Sequence, residues 1–161
     1  MITVLEPIDL TELLETYKML EDRIQWTDYG HKGKQAGLQN KQDEDPWTSA
    51  VGRSRGNELS YTELNPFFKG TVFEDVINKY SLKRTRLMWC GAYACYSMHR
   101  DETPRIHIPL ITNPACFFLF PPQGLTYMPI GSVFWTDTRK LHTFINCSDQ
   151  ARLHLVGVVQ E

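Results

Sequence analysis

Residues Ala115–Asp137, ACFFLFPPQGLTYMPIGSVFWTD, decide the fold. Their apolar runs ACFFLF, LTYMPI and GSVFWTD are too short for helices, and PPQG and IG stand between them where a chain reversal needs Pro or Gly. The same texture extends both ways. Upstream lie TRLMWCGAYACYSMH (85–99) and RIHIPLI (105–111), and downstream LHTFIN (141–146) and ARLHLVGVV (151–159), separated by RDETP, TNP, DTRK and CSDQ. Seven or eight short strands with no intervening helix predict a mainly β fold, a double-stranded beta-helix or jelly roll of the cupin-like kind.

The N-terminal half reads differently. Asp9 with Glu12 forms a capping-box pattern before Leu10, Leu13, Leu14, Tyr17, Leu20 and Ile24, which recur at helical spacing. Thr71 with Glu74 opens a second, shorter helix through Phe73, Val76, Ile77 and Tyr80. Between them residues 26–61 lack strong periodicity apart from a brief strand near Gln35–Gln39, yet they carry Trp47, Arg53, Arg55 and Tyr61. A segment of that length and content predicts a functional loop closing over a substrate. The expected organisation is one domain over 1–161, with flanking helices and the substrate loop in 1–84 and the core barrel in 85–160.

Composition narrows the function. A chain of 161 residues can bury roughly two-thirds of its unfolded surface around a single core. Its 42% hydrophobic and 22% charged content is that of a globular protein, and a net charge of −2 offers no field to attract a polyanion, so nucleic acid is disfavoured as a partner. The opening MITVLEPIDL lacks the basic and apolar regions of a leader, and no run is long enough to span a membrane, which predicts a cytoplasmic location. Cys90, Cys95, Cys116 and Cys147 show no C-x-x-C spacing and are expected to be free thiols, the first three buried.

The chemistry concentrates in CYSMHRDETPRIHIPL (95–110). On a strand, His99 and Asp101 project from the same face, provided that strand pairing reaches them. An H-x-D pair is weak evidence alone, but His142 in KLHTFIN supplies a third donor several strands later. Two His and one carboxylate so distributed make the facial triad of non-haem Fe(II) oxygenases, which leaves coordination positions open where a structural zinc site would be closed.

Arg152 follows His142 by ten residues. If Asn146–Gln150 form a five-residue hairpin loop, Ile145 pairs with Ala151, and Arg152 shares a face with Phe144 and His142. An inward arginine in a small barrel demands an anion, and guanidinium grips carboxylate through paired charge-assisted hydrogen bonds. Arg105 and His107 form a similar inward pair, opposite Ile106, Ile108 and Leu110. His154, in phase with Arg152, is expected to be a packed histidine, and His31 a solvated loop residue. Trp89, Tyr93, Phe118, Phe134 and Trp135 are candidates for dry pocket walls or core.

Over Thr85–Val159, with a fainter echo in KQAGLQNKQDEDPWTSAVGR (34–53), the sequence resembles the aspartyl/asparaginyl beta-hydroxylase-like branch of the Fe(II)/2-oxoglutarate dioxygenases. The resemblance implies that His99, Asp101 and His142 hold Fe(II), that Arg152 binds a 2-oxoglutarate carboxylate, and that Arg105 and His107 contact the same cosubstrate. It further implies a hydroxylase using O2, acting on an amino-acid-like small molecule or a peptide side chain, with succinate and CO2 as co-products. The same barrel also suits a cupin-like metal enzyme without 2-oxoglutarate, or a non-catalytic binding module. The presence of Arg152 weighs against the first of these.

Overall fold

In the computed structural model, which describes residues 1–161, the chain runs β1 (Ile2–Pro7), α1 (Thr11–Leu20), β2 (Thr27–Asp28), β3 (Gly33–Gly37), β4 (Gln39–Asn40), β5 (Glu63–Leu64), α2 (Val72–Lys79), β6 (Lys83–Cys90), β7 (Arg105–Ile111), β8 (Cys116–Phe120), β9 (Gly124–Tyr127), β10 (Ser132–Thr136), β11 (Thr143–Asn146) and β12 (Arg152–Val158). Seven strands form a large sheet in the order β1-β10-β7-β12-β6-β3-β2, and β11-β8-β9 form a smaller one facing it. Every pairing is antiparallel. This is a mainly β jelly roll with two helices, and its strands after residue 83 coincide with the apolar runs.

The N-terminal half is more than helices and loop. It adds β1 to one edge of the large sheet and β3 with β2 to the other. β1 escapes a pattern reading because it is an edge strand with mostly exposed side chains, so it shows no clean alternation. Both helix starts are present: the first is capped at Leu10, one residue after Asp9, and the second at Thr71 as expected, but its Glu74 reaches back to Gly70 instead of Thr71. Asp9 Oδ1 accepts from the Thr11 amide (2.9 Å) and hydroxyl (2.7 Å), while Glu74 accepts from the Gly70 amide (2.6 Å).

The large sheet inverts the usual assignment of faces. Leu87, Ile106, Ile108, Leu153 and Leu155 pack outward into a core with Leu13, Tyr17, Phe73 and Ile77 of the helices. The alternate set on the same strands, Arg86, His107, Arg152 and His154, is buried between the two sheets. There a smaller apolar cluster of Cys90, Cys116, Phe118, Phe120, Phe134 and Phe144 closes one end of the sandwich.

The expected hairpin of LHTFIN with ARLHLVGVV does not form. β11 pairs with β8 in the small sheet, while β12 pairs with β6 and β7 in the large one. The 146–150 connection crosses the sandwich, because Asn146 folds it on itself: its Oδ1 accepts from the Ser148 amide (3.0 Å), and its Nδ2 donates to Gly91 O (2.9 Å) and Gln150 O (2.8 Å). Arg152 still faces inward, and its guanidinium lies 3.5 Å from the Phe144 ring centroid across the gap. Two other expectations are corrected. Cys95 is exposed, like Cys147, and Tyr93 lies on the surface, because residues 91–95 leave the large sheet before they rejoin the small one.

Docking of β3 depends on Gly33, whose φ is +122° and where an added Cβ would sit 2.0 Å from Trp89 O. Gly33→Ala is therefore expected to destabilise the protein by at least about 1–3 kcal/mol, the cost of the backbone conformation alone. Urea unfolding checks this; a midpoint equal to that of the parent protein would contradict the packing of β3 on β6.

Candidate metal centre

After β6 the chain loses regular pairing, then lines up along β11. The Tyr96 amide donates to Phe144 O (3.1 Å), His99 and His142 exchange backbone hydrogen bonds (2.9 Å each way), and the Asp101 amide donates to Thr138 O (2.9 Å). A pair that exchanges both bonds sits directly opposite, so its side chains share a face. The two imidazoles accordingly lie with centroids 4.4 Å apart.

Each ring is oriented from behind. His99 Nδ1 is 2.7 Å from Ser97 O and His142 Nδ1 is 2.9 Å from Lys140 O, so each Nδ1 carries the proton and donates it, leaving both Nε2 lone pairs free. Those Nε2 atoms face Asp101, at 3.9 Å from Oδ1 for His99 and 3.7 Å from Oδ2 for His142. One donor atom from each of the three residues lies within 4.8 Å of the others. Burial raises the Asp101 carboxyl, but the adjacent Arg105 guanidinium outweighs it and holds the group below its ordinary range, as an anion. Two aimed imidazole nitrogens and an ionised carboxylate, open to a cavity on one side, fit a divalent cation with free coordination positions.

Arg105 is placed against the triad rather than free in the cavity. Its Nε donates to Asp101 Oδ2 (2.8 Å) and its Nη2 to Glu58 Oε1 (2.8 Å). Glu58, only 2% exposed, also accepts from Arg84 Nη1 and from the Thr103 hydroxyl. Burial raises the Glu58 carboxyl, but Arg105, Thr103 and Arg84 together leave it lowered. Arg84 reaches it from a bulge in β6, where it adopts a positive φ of 49°. Glu58 carries no sequence signal: it stands in an aperiodic stretch, and only the fold brings it beneath the site.

The triad opens on a cavity of about 670 Å³. His107 and Arg152 line it with the three donor residues, and Phe118 stacks on His142 with centroids 6.2 Å apart. Arg152 is 3% exposed, and its Nε and Nη1 have no partner. His107 and His154 approach through their Nδ1 atoms (3.5 Å), and neither Nε2 is bonded. Burial, reinforced by Arg152, pushes both imidazoles well below their ordinary range, so they are neutral. Tyr96 lies at the same end, its phenol pushed up to about 12 by burial.

The 26–61 segment does line the cavity, through Tyr29, Lys34, Gln35, Arg53 and Ser54 among others. Of its four conspicuous residues only Arg53 takes part. Trp47 packs on Phe67 and Phe68, Tyr61 is fully buried, and Arg55 lies near Glu44 on the surface. His31 is exposed and away from the cavity wall. Arg86 was legible in principle, as a cation inside the apolar run TRLMWC in phase with Met88 and Cys90.

No protein-family model matches the chain, and no curated protein sequence matches it. Solved structures do. One, an oxidoreductase of the 2OG-Fe(II) oxygenase family from Burkholderia pseudomallei, aligns over 90% of this chain and 76% of its own, with a TM-score of 0.56 and 16% identity. A cupin domain from Bordetella pertussis Tohama I aligns over 48% of this chain and 80% of its own, with a TM-score of 0.41 and 15% identity. At such identities the first likeness is one of fold. No helix of the chain is long and apolar enough to cross a membrane.

Because Arg105 orients the Asp101 carboxylate, Arg105→Gln is expected to weaken Mn(II) binding roughly 10–100-fold, as loss of a group supporting a metal ligand does. Calorimetric titration measures it; unchanged affinity would show that Arg105 plays no part in aligning Asp101.

Proposed function

We propose that the protein is an Fe(II)- and 2-oxoglutarate-dependent dioxygenase that hydroxylates an amino-acid-like small molecule or a peptide side chain. One observation carries the reading: a guanidinium with unpartnered nitrogens, Arg152, is buried in the same cavity as a two-histidine, one-carboxylate donor set. A metal alone would leave the Nε and Nη1 of Arg152, which stacks on Phe144, without an acceptor, whereas a 2-oxo diacid accounts for both the donor set and these nitrogens. The narrower placement in the aspartyl/asparaginyl beta-hydroxylase-like branch rests on the spacing of His99 and Asp101, of Arg105 and His107, and of His142 and Arg152.

His99, Asp101 and His142 would hold the iron, which with 2-oxoglutarate and O2 supplies oxidation of a C–H bond and yields succinate and CO2. The chain's own residues do the rest. Arg152 grips the distal carboxylate of the diacid, and Tyr96, which keeps its proton at neutral pH, offers an O–H beside it. His107 and His154 stay neutral, so the guanidinium is not opposed by further buried cations at that end. Phe118 and Phe144 exclude water, and Arg105 turns Asp101 towards the imidazoles.

With Fe(II), O2 and 2-oxoglutarate the purified protein is expected to form succinate. His99→Ala should abolish that, and Arg152→Gln should raise the KM for 2-oxoglutarate at least about tenfold, as loss of a charge-assisted pair implies. Succinate formation indifferent to both substitutions refutes the reading.

A further inference from the structure

The cavity wall holds more buried positive charge than the proposed reaction uses. Arg84, Arg86, Arg105 and Arg152 are each at most 5% exposed and all line it. Two are matched, Arg84 with Glu58, and Arg105 with Glu58 and Asp101. Arg152 and Arg86 meet no carboxylate. The one side-chain hydrogen bond of Arg86 runs from Nη1 to Gln35 Oε1 at 3.3 Å, and its Nε has no partner. Burial, together with Arg84 and Arg105 nearby, depresses the Arg86 guanidinium well below its ordinary range, against the weaker pull of Asp101 and Glu58.

A single diacid does not explain both. On neighbouring antiparallel strands Arg152 stands opposite Cys90, and Arg86 stands opposite Val156. Their positions differ by four residues of register, about 13 Å along the strands. Arg152 lies towards Tyr96 and Phe144, whereas Arg86 lies against β3, where Gln35 also accepts from the Gly52 amide of the 26–61 segment (3.1 Å). The second cation therefore sits on the side of the cavity that this segment closes.

We propose that Arg86 is a second carboxylate site, distinct from that of the cosubstrate, and that the substrate is itself a carboxylic acid anchored by this guanidinium. The inference rests on the dioxygenase reading and narrows its substrate class. Two sources of the carboxylate fit: the α-carboxylate of a free amino acid, or the acidic side chain of aspartate or glutamate. Gln35, bonded to both Arg86 and the Gly52 amide, ties occupancy of the site to the position of residues 52–54.

The test is calorimetric, on protein loaded with Mn(II) and 2-oxoglutarate without O2, using the twenty common L-amino acids and their C-terminal amides as probes. At least one free acid should bind. For neutral side chains, amidation should weaken binding roughly tenfold to a hundredfold, as loss of a charge-assisted hydrogen bond implies. Binding that survives amidation only for aspartate or glutamate assigns the site to a side-chain carboxylate. Failure of every acid, or equal binding of neutral acids and their amides, overturns the proposal. Arg86→Met should lose acid binding by the same factor, keep 2-oxoglutarate affinity, and melt no lower than the parent protein without ligands, since an unmatched buried cation is removed. A lower melting point would make Arg86 structural, and lost 2-oxoglutarate affinity would make it part of the cosubstrate site; either overturns the assignment. Loss of cosubstrate binding in the parent protein, or its persistence in Arg152→Gln, instead defeats the dioxygenase reading. Titrating the amino acids into metal-free protein then still decides Arg86.

Discussion

The reciprocal backbone hydrogen bonds between His99 and His142 are the constraint on which the site depends. They join a segment that has left the large sheet to the edge of the small one, and they fix which side chains stand opposite. A slip of one residue would turn one imidazole away from the other, since strand side chains alternate. The register is held at the other end by Asn146, whose amide donates to Ala94 O (2.8 Å) and whose side chain binds Gly91 O. In between, the Thr143 hydroxyl donates to Tyr96 O. The triad is thus placed by backbone pairing, and Asp101 joins it two residues beyond His99 with its amide on Thr138 O.

That arrangement is possible because the large sheet gives its apolar face to the helices rather than to the sandwich interior. Leu87, Ile108, Leu153 and Leu155 are each at most 1% exposed there, and full burial of such a side chain is worth about 1.5–3 kcal/mol. Burying an unmatched guanidinium costs several kcal/mol even after relaxation. The helix-side core of α1 and α2 offsets that cost, so the row of Arg86, His107, Arg152 and His154 can stay polar between the two sheets. The helices hold up the site without touching it.

The strands after residue 83 were legible because each is a short apolar run bounded by turn residues. Strand alternation suggests that His99 and Asp101 share a face, while His142 enters only because two histidines and a carboxylate match a metal-binding pattern; the pairing that joins His99 to His142 is an isolated bridge outside the named strands. The inward aim of Arg152 was reached through a hairpin that does not exist. Its phase survives because the connection at Asn146–Gln150 changes sheets while keeping the side chain between them. What could not be read is long-range. β1 leaves no alternation to detect, and Glu58 belongs to an aperiodic loop whose position is set by Arg84 and Arg105, 26 and 47 residues further along. The aromatic residues of the 26–61 segment misled for a physical reason: Trp47 and Tyr61 anchor the segment in the protein, which frees its polar and charged residues to face the cavity.

Glu58 gives that segment an electrostatic link to the candidate metal-binding triad. Its carboxylate binds Arg105, Arg105 binds Asp101, and Asp101 faces both imidazoles. Charges alternate along this chain inside a buried site, where each partner is stabilised by the next and any one left alone would be costly. A cation at the triad would extend the alternation by one more member. Asp101 would then stand between two positive centres, and the carboxylate offered to the cation is the one that holds Arg105, and through it Glu58 of the 26–61 segment, in position. Arg84 completes the arrangement on the other side of Glu58, and its positive φ is the backbone cost of reaching it from a bulged strand. The loop, the bulge and the donor set form one network, because two carboxylates of the cavity wall, Glu58 and Asp101, serve all three.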